Sequence, residues 1–203
     1  DRERMNRTPG AGAMNDEGRK PNPSLAPSLL VSMPQLNDPN FRRAVILLCE
    51  HGKHGAFGLV LNRPTDTPAA DVVRLTPPVN ATSDLELWIG GPVERERGWI
   101  LMGTEPADAE SVRVCDGVFL STSPSLLRRF LEAPPPPRTR LLTGYAGWDA
   151  GQLDRELAAS AWLHAEVDPD LIFDNEANEL WEATLRRMGA DPSLLQMGGG
   201  GVH

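Results

Sequence analysis

A chain of 203 residues, 40% hydrophobic and 24% charged, is long enough to bury a substantial core as one globular domain. Its net charge of −8 is carried by the last quarter, where Asp149 to His203 holds eleven acidic and three basic residues, an excess that repels phosphate backbones and argues against direct nucleic-acid binding there. Two cysteines exclude a disulfide framework or a four-ligand structural zinc, and no apolar run nears the roughly 18 residues of a membrane span or follows N-terminal charges as in a secretory signal.

The expectation is therefore a cytoplasmic protein with reduced thiols and no membrane partner. Residues 1–23 are polar and rich in Gly, Pro, Asn and Arg. They predict a disordered arm, with the folded domain over 24–196 and a flexible Gly-rich tail over 197–203.

A first strand is predicted over Leu29 to Met33, closed by Pro34. QLNDPNFRRA then reads as a loop with one helical turn, capped by Asp38 with Pro39 in first position. VILLCEHGKHGAFGLVLNRP, Val45 to Pro64, follows. Two strongly apolar runs flank a glycine-bearing turn, which predicts a hairpin of strands buried on both faces at the centre of a sheet. Thr65 to Thr67 are cap candidates for a short helix over Pro68 to Arg74.

LELWIGGPV and Arg97 to Gly103 read as strands joined by a hairpin or crossover at GGPVERER. Short strands over Ser111 to Cys115 and Gly117 to Leu120 precede a helix capped by Ser123, with Leu126, Leu127, Phe130 and Leu131 as its apolar stripe. TRLLTGYAGW is a strand leading into a helix with Leu153, Leu157 and Ala158 on one face and Asp149 as its cap. A strand over Trp162 to Val167 ends in a turn at Asp168–Pro169. NEANELWEATLRRMG is expected to be the longest helix, closed by Gly189. Roughly eight strands interleaved with four or five helices predict an α/β (α+β) single domain built on a mixed, largely antiparallel sheet.

Cys49, His51 and His54 have a metal-like spacing, but His54 falls in the turn and no fourth ligand is nearby, so neither a metal nor a cofactor is expected. Cys49 with His51 is a minority candidate for a thiol nucleophile or redox sensor, weakened because a cysteine ending an apolar run tends to be buried. There is no phosphate-loop, dinucleotide or serine-hydrolase motif. The ligand-binding candidates lie at strand ends and turns: Asn62, Arg63, Gly90, Gly91, Pro92, Tyr145, Gly147 and Trp148. Arg63 can grip an anion through its guanidinium fork, and Tyr145 with Trp148 can supply an apolar wall with polar edges.

LLVSMPQLNDPNFRRAVILLCEHGKHGAFGLVLNRP, then GGPV with RGWIL, then YAGWDAGQLDRELAASAWL, resemble in order the bacterial YqgE/AlgH family. The resemblance runs from about Leu25 to near Leu195. It implies a single α/β domain with a strongly curved sheet flanked by helices, in a cytosolic bacterial protein. It implies no reaction, since the family is biochemically uncharacterised. Some members carry a transcriptional-regulator label, but no helix-turn-helix with a basic recognition helix is evident here. The expectation is a non-enzymatic binding or regulatory protein, with an unknown small molecule or protein as partner and its oligomeric state open.

Overall fold

The computed structural model of the chain describes residues 23–197. Within it, the Val45–Pro64 stretch forms the expected hairpin, β2 (Val45–Gly52) and β3 (Gly55–Val60). Strand β1 (Ser28–Ser32) pairs antiparallel with β2. All of β1 and the first four residues of β2 are buried, as continuous apolar runs require when both sheet faces are covered.

The chain continues through β4 (Pro64–Pro68), α1 (Ala69–Val72), β5 (Glu86–Ile89), β6 (Val93–Met102), β7 (Val112–Cys115), β8 (Val118–Ser121) and α2 (Pro124–Glu132). It ends with β9 (Thr139–Trp148), α3 (Gln152–Ala158), β10 (Trp162–Ala165), α4 (Pro169–Asp174), α5 (Leu180–Arg187) and α6 (Pro192–Met197). One curled mixed sheet runs β10–β1–β2–β3–β9–β6–β8–β7, with β5 on β9 and β4 on β5. Every pairing is antiparallel except β5 with β9.

Alternation along the strands divides the core. Leu29, Val31, Val45, Leu47, Leu59 and Leu142 face α4 and α5, which cover them with Ile172, Leu180, Trp181 and Leu185. Leu30, Ile46, Leu48, Val60 and Trp148 pack with Leu153 of α3 in a second cluster. In a third, Leu87, Ile100 and Leu141 pack with Leu126, Phe130 and Leu131 of α2.

The Gly-Gly-Pro stretch is a crossover rather than a hairpin turn. Leu141 to Thr143 of β9 pair with β5 on one edge and with β6 on the other. Gly90 to Pro92 therefore carry the chain across β9 from edge to edge. The Gly90 N–H donates to the Thr143 carbonyl at 2.7 Å, and the Gly90 carbonyl accepts from Val60 N at 2.7 Å. A Cβ on Gly91 would lie 2.1 Å from the Tyr145 carbonyl carbon. Two backbones crossing in contact leave no room for side chains, which is why glycine stands here.

Several expectations need correction. Thr65 and Thr67 cap no helix; they belong to β4, and Thr65 Oγ1 donates to the Leu87 carbonyl at 2.6 Å. The expected turn at Asp168–Pro169 starts a helix, α4, whose N–H groups at Asp170 and Leu171 donate to Asp168 Oδ1. Asp149 is not the cap of α3: Gly151 holds that position with φ 74°, while Gln152 Oε1 accepts from the Asp149 N–H. Ala158 is exposed rather than on the buried face. The helical turn expected after Asp38 is a hydrogen-bonded turn, with Asn40 N donating to Asp38 Oδ1 at 2.9 Å. Among the described residues the longest helix is α2, nine residues against eight in α5. Among the described residues, ten strands and six helices stand against roughly eight strands and four or five helices read from the chain, the extra helices being α4 and α6. The expected arm and tail lie outside the described residues, apart from Pro23 and Met197.

Candidate functional site

The end of β3, the start of β2 and the start of α5 converge on a cleft of about 470 Å³, lined by Arg42, Arg43, Asn62, Arg63, Asn178 and Trp181 among others. None of its lining residues is acidic. Beyond β3, Leu61 N still donates to the Val45 carbonyl. Asn62 then continues the ladder with its side chain. Its Oδ1 accepts from Val45 N at 3.0 Å and its Nδ2 donates to the Arg43 carbonyl at 2.9 Å. The amide is buried and satisfied at both ends.

Arg63 is half-buried, and burial pushes its pKa below the usual arginine value. It remains a cation at neutral pH. Its guanidinium donates to the carbonyls of Arg42 and Asn62. Carbonyl partners orient the fork without cancelling its charge. Arg43 is differently engaged: it sits in the left-handed region with φ 50°, pairs with Glu182 at 2.8 Å and stacks 4.7 Å over the Trp181 ring. A left-handed arginine costs backbone energy, and such strain concentrates at functional positions. The Trp181 indole is fixed by donation from Nε1 to the Ser32 carbonyl at 2.9 Å.

A neighbouring arginine reinforces this end of the sheet. Arg140 lies 4.2 Å from the Trp88 ring centroid and 5.4 Å from that of Phe173, and donates to the carbonyls of Leu61 and Ile172. Burial lowers its pKa as well.

The other candidates do not gather here. Gly90 and Gly91 are buried in the crossover, with Pro92 beside them. Tyr145 packs with Phe57 and Trp99, and the neighbouring Glu94 carboxylate pushes its phenol pKa up. Gly147 is exposed on β9. Trp148 points to the opposite face, where its Nε1 donates to Glu156 at 2.8 Å and its ring packs on Phe41 and Trp162. Tyr145 and Trp148 thus form no common wall.

The thiol candidates are engaged within the fold. Burial, with repulsion from Glu50 and Cys115, pushes Cys49 up to about 12, leaving it a thiol at neutral pH when a nucleophile must be a thiolate. His51 Nδ1 accepts from the Leu25 N–H at 3.0 Å. Its proton is therefore on Nε2, which faces Asp154 Oδ1 at 3.0 Å. With both nitrogens occupied, the ring ties the entering chain and α3 to β2 and has no free base position. His54 is exposed in the turn. Among the described residues no three His, Cys, Asp or Glu side chains gather as a metal-holding group, and no helix is long and apolar enough to cross a membrane.

Comparison with known proteins places this geometry. A sequence model described as AlgH-like matches residues 29–193. The chain belongs to the AlgH-like family. A UPF0301 protein of Myxococcus xanthus is 42% identical over 180 residues, covering 87% of this chain and 98% of its own. A UPF0301 protein of Ralstonia nicotianae is 37% identical over 175 residues, covering 85% and 92%. The solution structure of the AlgH protein from Pseudomonas aeruginosa is similar at a TM-score of 0.69 and 34% identity, covering 87% of this chain and 94% of that one. A crystal structure from Corynebacterium diphtheriae shares the fold at a TM-score of 0.64 and 24% identity.

Several cleft residues escaped sequence reasoning. Arg42 and Arg43 read as an arginine pair, and Asn178 and Trp181 as residues of the expected helix NEANELWEATLRRMG, whereas α5 begins only at Leu180 and leaves Asn178 in the turn before it. No local signal joins 178–181 to Arg63, more than a hundred residues away in the chain; only the packing of α5 over β2 and β3 does so.

Proposed function

We propose that this AlgH-like protein is a non-enzymatic binding protein that holds an anionic group between Arg42 and Arg63. The observation that carries the reading is the half-buried Arg63 guanidinium, oriented by backbone carbonyls in a cleft without a carboxylate in its lining. A fixed cation without an acidic partner favours an anion that reaches it, and partial burial strengthens the contact relative to water. A small anion suits the cleft better than a nucleic acid. Asn178 is flanked in the chain by Glu176 and Glu179, and α5 carries Glu182, so an extended phosphate backbone would meet like charge.

The test is a thermal-shift panel of organic and inorganic anions on the wild-type protein and on Arg63→Gln. The expected result is an anion that raises the wild-type Tm and leaves the Arg63→Gln Tm unchanged. If no anion raises the wild-type Tm, or if the variant responds equally, the reading fails.

A further inference from the structure

The segment that enters the sheet, residues 23–27, hangs on one side chain. The Leu25 N–H donates to His51 Nδ1 at 3.0 Å. Among the described residues this is the only hydrogen bond from the backbone of 23–27 to another element. The Ala26 N–H turns back to Ser24 Oγ, and Pro23 and Pro27 have no N–H to give. Pro23 and Leu25 line a cavity of about 510 Å³ together with His51, Asp154, Leu157 and Trp162. This cavity shares no lining residue with the arginine cleft.

The ring accepts at Nδ1 only while it is neutral. A proton added there points at the Leu25 N–H and sets donor against donor. Leu25 and the proton therefore compete for one lone pair. From this geometry we propose that residues 23–27 are an acid-released strap: protonation of His51 at Nδ1 detaches Leu25 and opens the cavity that the strap borders.

The surroundings of the ring suit such an exchange. The His51 side chain is 5% exposed, and its Nε2 faces Asp154 Oδ1 of α3 at 3.0 Å. That carboxylate supports the charged ring once Leu25 has left, because Nε2–H then forms an ion pair while Nδ1–H turns to the opened cavity. His164 of β10 lines the cavity from the other side and, when charged, opposes a second cation. Glu50, next in the chain, is exposed and acts weakly through water. The remaining neighbours bring no charge: β3 places Ala56 opposite His51, and Met188 closes the lining after α5. Leu25 and Ala26 also pack on the second core cluster. That apolar contact draws the strap back when the ring is neutral.

The experiment is an NMR titration of the full chain from about pH 8 to about pH 5, the range in which histidine charge commonly changes. At the upper end, ring correlations should place the His51 proton on Nε2. On acidification the Leu25 amide should lose its hydrogen-bonded shift with the same midpoint as His51, and its exchange protection should fall by about tenfold or more. The Trp162 indole, at the cavity, should be broadened more by a soluble paramagnetic agent below that midpoint than above it. Amides of Ile46 to Leu48 should not change. His51→Asn offers an uncharged acceptor in place of Nδ1, so Leu25 should stay protected down to the lower end. Asp154→Asn should move release to lower pH, and His164→Gln should leave it in place. A Leu25 amide that stays fixed while His51 titrates would overturn the strap, as would a midpoint that follows His164 instead. A His51 ring that remains neutral throughout, or carries its proton on Nδ1 at the upper end, would do the same. Loosening of Ile46 to Leu48 together with Leu25 would show general acid unfolding and overturn a local device. Release without increased broadening of Trp162 would overturn the opening of the cavity.

Discussion

The carbonyl oxygen of Gly91 occupies the place where a side chain on Gly144 would begin: a Cβ built on Gly144 would lie 2.2 Å from it. The two glycines mark the point where the β5–β6 connection passes over β9. Both have positive φ, 155° and 73°. Gly91→Ala is expected to destabilise the protein by more than about 2 kcal/mol, since neither its backbone angle nor its surroundings admit a Cβ. Gly52→Ala, with nothing within 4 Å of the added carbon, should stay within about 0.5 kcal/mol. Urea unfolding of the two variants reads the difference.

Asn62 joins the start of β2 to the wall of the cleft through both halves of its amide. Asn62→Leu removes a donor and an acceptor and leaves the Val45 N–H buried without a partner. A cost of about 1–3 kcal/mol is expected. Because the Arg43 carbonyl also loses its donor, hydrogen exchange at residues 42–45 should accelerate more than exchange at β8.

Cys49 makes stability depend on alkaline pH. Its thiol has an ordinary value of 9.0 and is pushed up to about 12 in the fold. Between those values the unfolded chain gives up the proton and the folded chain keeps it. The folded state then binds more protons, so unfolding becomes easier as pH rises. The stabilisation is complete below pH 9.0 and is lost as pH climbs toward about 12, by up to tenfold in the unfolding constant per pH unit. Cys49→Ala should flatten the fall in urea midpoint over this window. A smaller slope of the same sign remains from Cys115, whose thiol burial also raises. Alkylation of Cys49 should be slow in the native protein and fast in urea.

Arg140 is sandwiched between Trp88 and Phe173 while it donates to two carbonyls. Arg140→Lys keeps the charge but loses the planar group that stacks and bridges. A loss of about 1–2 kcal/mol is expected, with a change in Trp88 emission. Arg140→Met, which retains much of the apolar stem, should restore part of the packing and none of the bridging.

Much of the scaffold was legible from the chain. The all-apolar run Val45 to Leu48 declares a strand covered on both sides, because every side chain must leave water whichever way it points. Ser123–Pro124 and the Leu126, Phe130, Leu131 spacing declare α2 through a cap and a period. Local rules faltered where the local signal pointed elsewhere. The β4 strand is bounded by prolines and touches β5 in register only at Pro64 and Pro68, so its threonines read as helix caps. Asp168–Pro169 fits a turn as well as the first residues of α4.

By itself, the sequence determined the family, the mixed sheet and the Arg63 end as a place of interest, since these depend on patterns carried by contiguous residues; the curl of the sheet came only as what the family resemblance implies. Only the tertiary structure decided that Gly90 to Pro92 cross a strand, that Tyr145 and Trp148 face opposite ways, and that Trp181 and Asn178 close a cleft around Arg63. Those relationships depend on how α5 seats on the hairpin and on the parity of side chains along β9. A chain read residue by residue contains the apolar surfaces that drive such packing, but the register at which they meet is set by the whole fold at once.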